Sequence, residues 1–76
     1  MWLICHTTDN EIRTPHFEHS REDALRFVNG MVKDLVDIAE GCEHELNVYR
    51  GGDEVLLIMN GNTFMWRIFK CSMEVV

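Results

Sequence analysis

Apolar residues recur along this chain with two different periods, and the changes of period divide it into elements. Residues 1–8, MWLICHTT, open with five apolar positions in a row. A strand apolar on both sides lies inside a sheet or under good cover. Asp9-Asn10 is a turn pair, and EIRTPHF after it can return as a short strand. Pro15 confines that strand to a sheet edge, because proline has no N–H to give to a ladder.

From Arg21 to about Glu40 the period becomes helical. Ser20, with Asp23 three residues on, resembles a capping box, and Gly41 suits the left-handed position that follows a helix. At 100° per residue Ala24, Val28, Val32, Leu35 and Ala39 share one arc with Leu25, Phe27, Met31, Val36 and Ile38. That arc is about 180° wide, where packing on a single surface takes about 100°. Arg26, Asn29, Lys33, Asp37 and Glu40 fill the opposite side, and Glu22 with Arg26 forms a favourable i,i+4 pair.

The period then shortens to two. In HELNVYRGGDEVLLIMNGNTFMWRIFKC, Gly51-Gly52 and Asn60-Gly61 read as two-residue hairpin loops that tolerate positive φ. Loops of that length place Arg50 opposite Asp53 and Glu54 opposite Arg67, two attractive cross-strand pairs, with Val55 beside Trp66. One face of the resulting three-stranded meander collects Leu46, Val48, Val55, Leu57, Phe64, Trp66 and Ile68, the face on which the helix must lie. The fold class is therefore α+β: an N-terminal strand or short hairpin, one long helix, then a three-stranded antiparallel meander, with the helix packed on one sheet face.

The other face of the meander is not wet. It carries Asn47, Tyr49, Glu54, Thr63 and Arg67, but Leu56, Ile58, Met65 and Phe69 cluster at its middle. Burying such side chains is worth roughly 1.5–3 kcal/mol each, and one helix cannot cover both faces of a sheet. A second copy of the chain in an isologous dimer is the favoured cover, followed by a different protein and then by the N-terminal segment folding over. The expected protein interface comprises Tyr49, Leu56, Ile58, Met65, Arg67 and Phe69.

Composition narrows the function. The 76 residues make one small domain, which hides only about 60% of its unfolded surface and has little stability to spare. The opening apolar run is too short for a signal sequence or a membrane span, and the large residue after Met1 fits a complete small reading frame. Three cysteines cannot all pair within one chain, so they point to reduced thiols in a cytoplasm. Thirteen acidic against seven basic residues give a formal net charge of −6. That disfavours direct binding of nucleic acid, whose phosphates need Lys and Arg, and suits a basic protein partner, a nucleic-acid enzyme with a phosphate-binding groove included.

No residue pattern points to catalysis. Ser20 is taken as the helix cap and Ser72 lacks a supporting motif. Cys42 near His44 resembles a thiol–imidazole pair, but the negative end of a helix dipole disfavours a thiolate there. Trp2 and Trp66 are the aromatics available for stacking on bases, and Trp66 belongs to the core face. No small-molecule substrate or cofactor is evident. His16, His19, Cys42 and His44 lie at the two ends of the helix, about 30 Å apart, so they cannot share one ion. His16 and His19 meeting Cys5 or His6 across the first hairpin is the zinc alternative. The favoured function is a non-enzymatic, acidic protein-binding module, cytoplasmic and homodimeric. Its size and charge suit an inhibitor or modulator of a host protein, of the kind carried by phages or mobile elements. A small His/Cys zinc module is the alternative.

Overall fold

Two tight turns organise the sheet, and both place their two central residues in the left-handed region. The computed structural model describes residues 1–71, so Ser72 lies outside the described residues. Strand β1 (Trp2–Thr8) turns through Asp9 (φ 49°) and Asn10 (φ 68°) into β2 (Glu11–Ile12). Strands β5 (Glu54–Met59) and β6 (Asn62–Lys70) are joined by Asn60 (φ 50°) and Gly61 (φ 85°). Asn, Asp and Gly accept this backbone at least cost, and its twist matches that of the strands it joins. The two turns are also tied together. The Thr63 N–H donates to Asp9 Oδ1 at 2.8 Å, and the Asp9 N–H donates to the Thr63 carbonyl at 2.7 Å.

The chain is α+β, with one helix and an antiparallel sheet. The sheet is wider than a three-stranded meander. It has six strands in the order β2-β1-β6-β5-β4, with β3 (His16–Glu18) also on β1 and β4 (Leu46–Arg50) at the far edge. Strand β6 makes this possible. It is 9 residues long against 6 for β5, and it pairs with β5 on one side and along all of β1 on the other. The apolar run at the N-terminus is thus an interior strand. The segment returning from Asp9-Asn10 splits into β2 and β3 on either side of Pro15, at the edge, as the missing N–H requires.

The β5–β6 register places Glu54 opposite Arg67 and Val55 opposite Trp66, as the Asn60-Gly61 turn implied. The β4–β5 hairpin differs. Arg50 lies opposite Val55 rather than Asp53, because Gly51-Gly52 is not a two-residue loop. Neither glycine adopts positive φ, and the connection widens, closed by the Gly51 N–H donating to the Glu54 carbonyl at 2.9 Å. The slip is two residues, an even number, so every side chain keeps its face.

The helix α1 (Arg21–Gly41) starts at Ser20, whose Oγ accepts the Asp23 N–H at 3.1 Å. Asp23 binds Arg26 at 3.0 Å, so Arg26 pairs with Asp23 and not with Glu22. The helix runs through Gly41 to a cap at Cys42, and the left-handed position falls on Glu43 (φ 55°). There the His44 N–H closes back on the Ala39 carbonyl at 2.9 Å. Ala24, Val28, Val32 and Ala39 are buried against Ile4, Val55, Leu57, Met59, Trp66 and Ile68. The helix approaches β1, β3 and β6 most closely, not the centre of the meander, since β1 moves the middle of the sheet towards itself. Trp66 is wholly buried, with the His6 ring stacked at 4.8 Å.

Two backbone positions leave stability unrealised. A methyl group at Gly30 meets no atom within 4 Å, so Gly30→Ala raises the unfolding free energy by about 0.8–1 kcal/mol. Glu43→Gly relieves a left-handed non-glycine residue and adds up to about 1 kcal/mol. Urea unfolding of the single and double variants checks both, and the gains add because the sites share no neighbours.

His6 makes the fold pH-dependent. Burial, and secondly the positive charge of Arg13, lower its pKa from the ordinary 6.5. The unfolded chain therefore takes up a proton at a pH where the folded chain resists it. Stability is complete above about pH 6.5 and declines as the pH falls below that value. The urea midpoint drops between pH 7.5 and pH 5.5, and in His6→Phe, which keeps the stack and removes the titration, it drops less.

Candidate protein interface on the bare sheet face

Alternation along each strand decides what lies on the face away from the helix. The pairs Tyr49–Leu56, Leu56–Met65, Met65–Thr7 and Thr7–Ile12 form one row across the sheet, from edge to edge. A second row runs Phe17–Leu3–Phe69. Between them lie Cys5, Arg67 and Glu54, and beyond the first row lie Thr63, Ile58 and Asn47. All six residues expected at an interface from the sequence share this face. Leu56, Ile58 and Met65 are half-buried by their neighbours, and Arg67 is exposed. Tyr49 and Phe69 are 57% and 43% exposed.

The N-terminal segment does not fold over this face. It enlarges it, contributing Leu3, Cys5, Ile12 and Phe17, of which Ile12 is 84% and Phe17 46% exposed. These four were missed from the sequence, although the two-sided apolar run at residues 2–5 was a signal for Leu3 and Cys5. Among the described residues nothing covers the face, so self-cover by the N-terminal segment is ruled out. A shallow apolar depression of about 230 Å³ is lined by Cys5, Thr7, Ile12, Met65, Arg67 and Phe69.

The charge on this face is one ion pair. Arg67 donates through Nε at 2.9 Å and Nη2 at 2.7 Å to Glu54 Oε2. Both side chains are about half exposed, and an exposed pair contributes at most about 1 kcal/mol. Its use here is neutrality. The acidic excess sits on and beside the helix, where Glu22, Asp34, Asp37, Glu40, Glu43 and Glu45 are exposed.

The ligand-type residues are dispersed by the same alternation. His16 is on the helix face, stacked on Phe27 at 4.0 Å, with Nε2 2.8 Å from Glu18 Oε1. Cys5 points to the opposite side of the sheet, and His6 lies against Trp66. The three described cysteines are free thiols, and Cys42 is exposed. Among the described residues no group of three His, Cys, Asp or Glu side chains is placed to hold a metal ion, and no helix is long and apolar enough to cross a membrane. Comparison with protein-family models, curated proteins and solved structures finds no match to this chain.

In the single chain the ion pair is solvated, so at concentrations where the protein is not associated Arg67→Met changes the unfolding free energy by less than about 1 kcal/mol in urea titrations. A larger loss where it is associated indicates that the pair is shielded from water in the assembled protein.

Proposed function

We propose that this chain is a non-enzymatic protein-binding module that works as a homodimer, its two copies stacked through the bare faces of their sheets, and that it acts by modulating another protein. The observation that carries the reading is the row Ile12–Thr7–Met65–Leu56–Tyr49, largely apolar, which crosses the whole sheet without a charged residue. Contiguous apolar surface of this kind marks an interaction site more often than a bare one.

Charge and area support a second copy as the occupant. Stacking brings together two faces that are each neutral, while the acidic helices of a chain with net charge −6 point outwards, away from each other. With strands about 4.8 Å apart and a rise of about 3.3 Å per residue, the face measures about 24 by 20 Å. Two such faces bury about 1,000 Å², near the lower bound for specific association. Face-to-face packing of sheets about 10 Å apart is an established layer arrangement. The zinc alternative draws no support from the placement of the histidines and cysteines. The acidic balance speaks against a nucleic-acid partner.

Light scattering over a range of concentration tests the stacked pair. The wild type has a mass of at least two chains. Ile58→Asp lowers it, because a charge in a dry isologous contact occurs twice without a counter-ion. Thiol labelling reports the face directly. Cys5 reacts more slowly as concentration rises, while exposed Cys42 reacts at a constant rate. A wild type that remains a single chain at high concentration overturns the homodimer.

A further inference from the structure

The two edges of the sheet are built differently. At one edge β2 and β3 have 2 and 3 residues, carry Glu11 and Glu18, and are separated by a segment that holds Arg13 and Pro15. Short strands, proline and charge are the devices by which an edge is kept from pairing with another chain. At the other edge β4 runs for 5 residues, LNVYR, with no proline, glycine, lysine or acidic residue, and all but Leu46 are exposed. Among the described residues nothing pairs with its outer side.

We infer that a second copy of this chain pairs with β4, edge to edge and antiparallel, with Val48 on the two-fold axis. The backbone of β4 determines the register. In an antiparallel ladder, alternate residues bond to the same neighbour. The Asn60 N–H donates to the Glu45 carbonyl and the Gly51 N–H donates to the Glu54 carbonyl, both at 2.9 Å. Odd-numbered positions of β4 therefore face β5, and Leu46, Val48 and Arg50 direct their N–H and C=O groups outwards.

Symmetry selects among the remaining registers. Antiparallel edge pairing between identical chains needs a two-fold axis perpendicular to the sheet, which keeps both helices on the same side. Residues opposite each other must then face the same way, so even positions meet even positions. Centring on Val48 sets Val48 opposite Val48 and Leu46 opposite Arg50, and satisfies every outward N–H and C=O of both strands. Centring on Asn47 or Tyr49 leaves some unpaired. The Val48 register also puts Tyr49 beside Asn47 on the bare face, and no like charges lie opposite each other. A second copy brings the same open edge, so that one contact pairs the outward groups of both strands at once, and the second copy is therefore the occupant.

This contact is separate from the stacked one and does not depend on it. Where both form, which rests on the stacked homodimer proposed above, their axes are perpendicular. If the stacking axis crosses the strands at the level of Val48, the assembly closes as a tetramer of two continuous sheets with helices outside.

Hydrogen exchange on the wild type and light scattering on variants test the edge. The amides of Leu46, Val48 and Arg50 exchange several-fold more slowly at concentrations where the protein is associated than after dilution. Val48→Pro removes the outward N–H on the axis, and Val48→Lys places two positive charges there. Each halves the associated mass, and Val48→Pro combined with Ile58→Asp gives single chains. Single chains from Val48→Pro alone, with Ile58→Asp unchanged in mass, support the edge and refute the stacked pair. Unprotected Leu46, Val48 and Arg50 amides in the associated protein overturn the inference. So does wild-type mass in both Val48 variants, whatever Ile58→Asp does.

Discussion

A helix about 10 Å in diameter laid on a sheet five strand positions wide covers the middle of one face and leaves the other open. Every other feature of this chain adjusts to that inequality. The buried residues of the strands, Ile4, Val55, Leu57, Met59, Trp66 and Ile68, all lie on the helix side. Trp66 takes the centre with no exposed surface, and its Nε1 has no hydrogen-bond partner among the described residues. A buried indole N–H left unpaired costs on the order of 1–3 kcal/mol, so the value of that position lies in the area of the ring. The opposite face has no such centre, and its apolar side chains are sheltered only by each other.

How much of this could be read beforehand follows from the range of the interactions. Local signals were legible. Asp9-Asn10 and Asn60-Gly61 name their own turns, Ser20 names the helix start, and Pro15 marks an edge. The pattern of faces was legible as well, because parity survives a two-residue slip such as the one at Gly51-Gly52. The position of β1 was not. Its partners on β6 are some sixty residues away, and nothing in residues 2–8 specifies them beyond a two-sided need for cover. The helix end was misplaced for a related reason. Gly41 has the right chemistry for the left-handed position, but the helix continues past it to the Cys42 cap and Glu43 takes that backbone. Residues of the bare face on the meander were found from alternation alone, while Leu3, Cys5, Ile12 and Phe17 depended on the long-range pairing.

Charge and hydropathy are segregated onto different surfaces. Arg21 at the start of the helix reaches the Gly52 carbonyl at 3.1 Å and Asp53 Oδ1 at 2.9 Å, and Arg50 reaches Asn29 Oδ1 at 2.8 Å. Two of the few cations are thereby spent in fastening the β4–β5 connection to the helix. Apart from Asp23, which pairs with Arg26, the acids on the helix have no ion-pair partner among the described residues, so this side repels its own kind while the neutral face does not. Such an arrangement favours association through one side and keeps the other free of it.

Pro15 acquires a further meaning from the asymmetry of the sheet. A sheet with two receptive edges has no natural size, since each added copy offers a new edge for the next and the product is a fibre. With proline breaking the outer ladder at β2 and β3, growth in that direction has no template, and the pairing inferred for β4 would end after one round. Pro15, with the short strands around it, would then set a bound on assembly. Its loss would be felt first as a change from a discrete particle to an open polymer, well before any effect on the fold of the single chain.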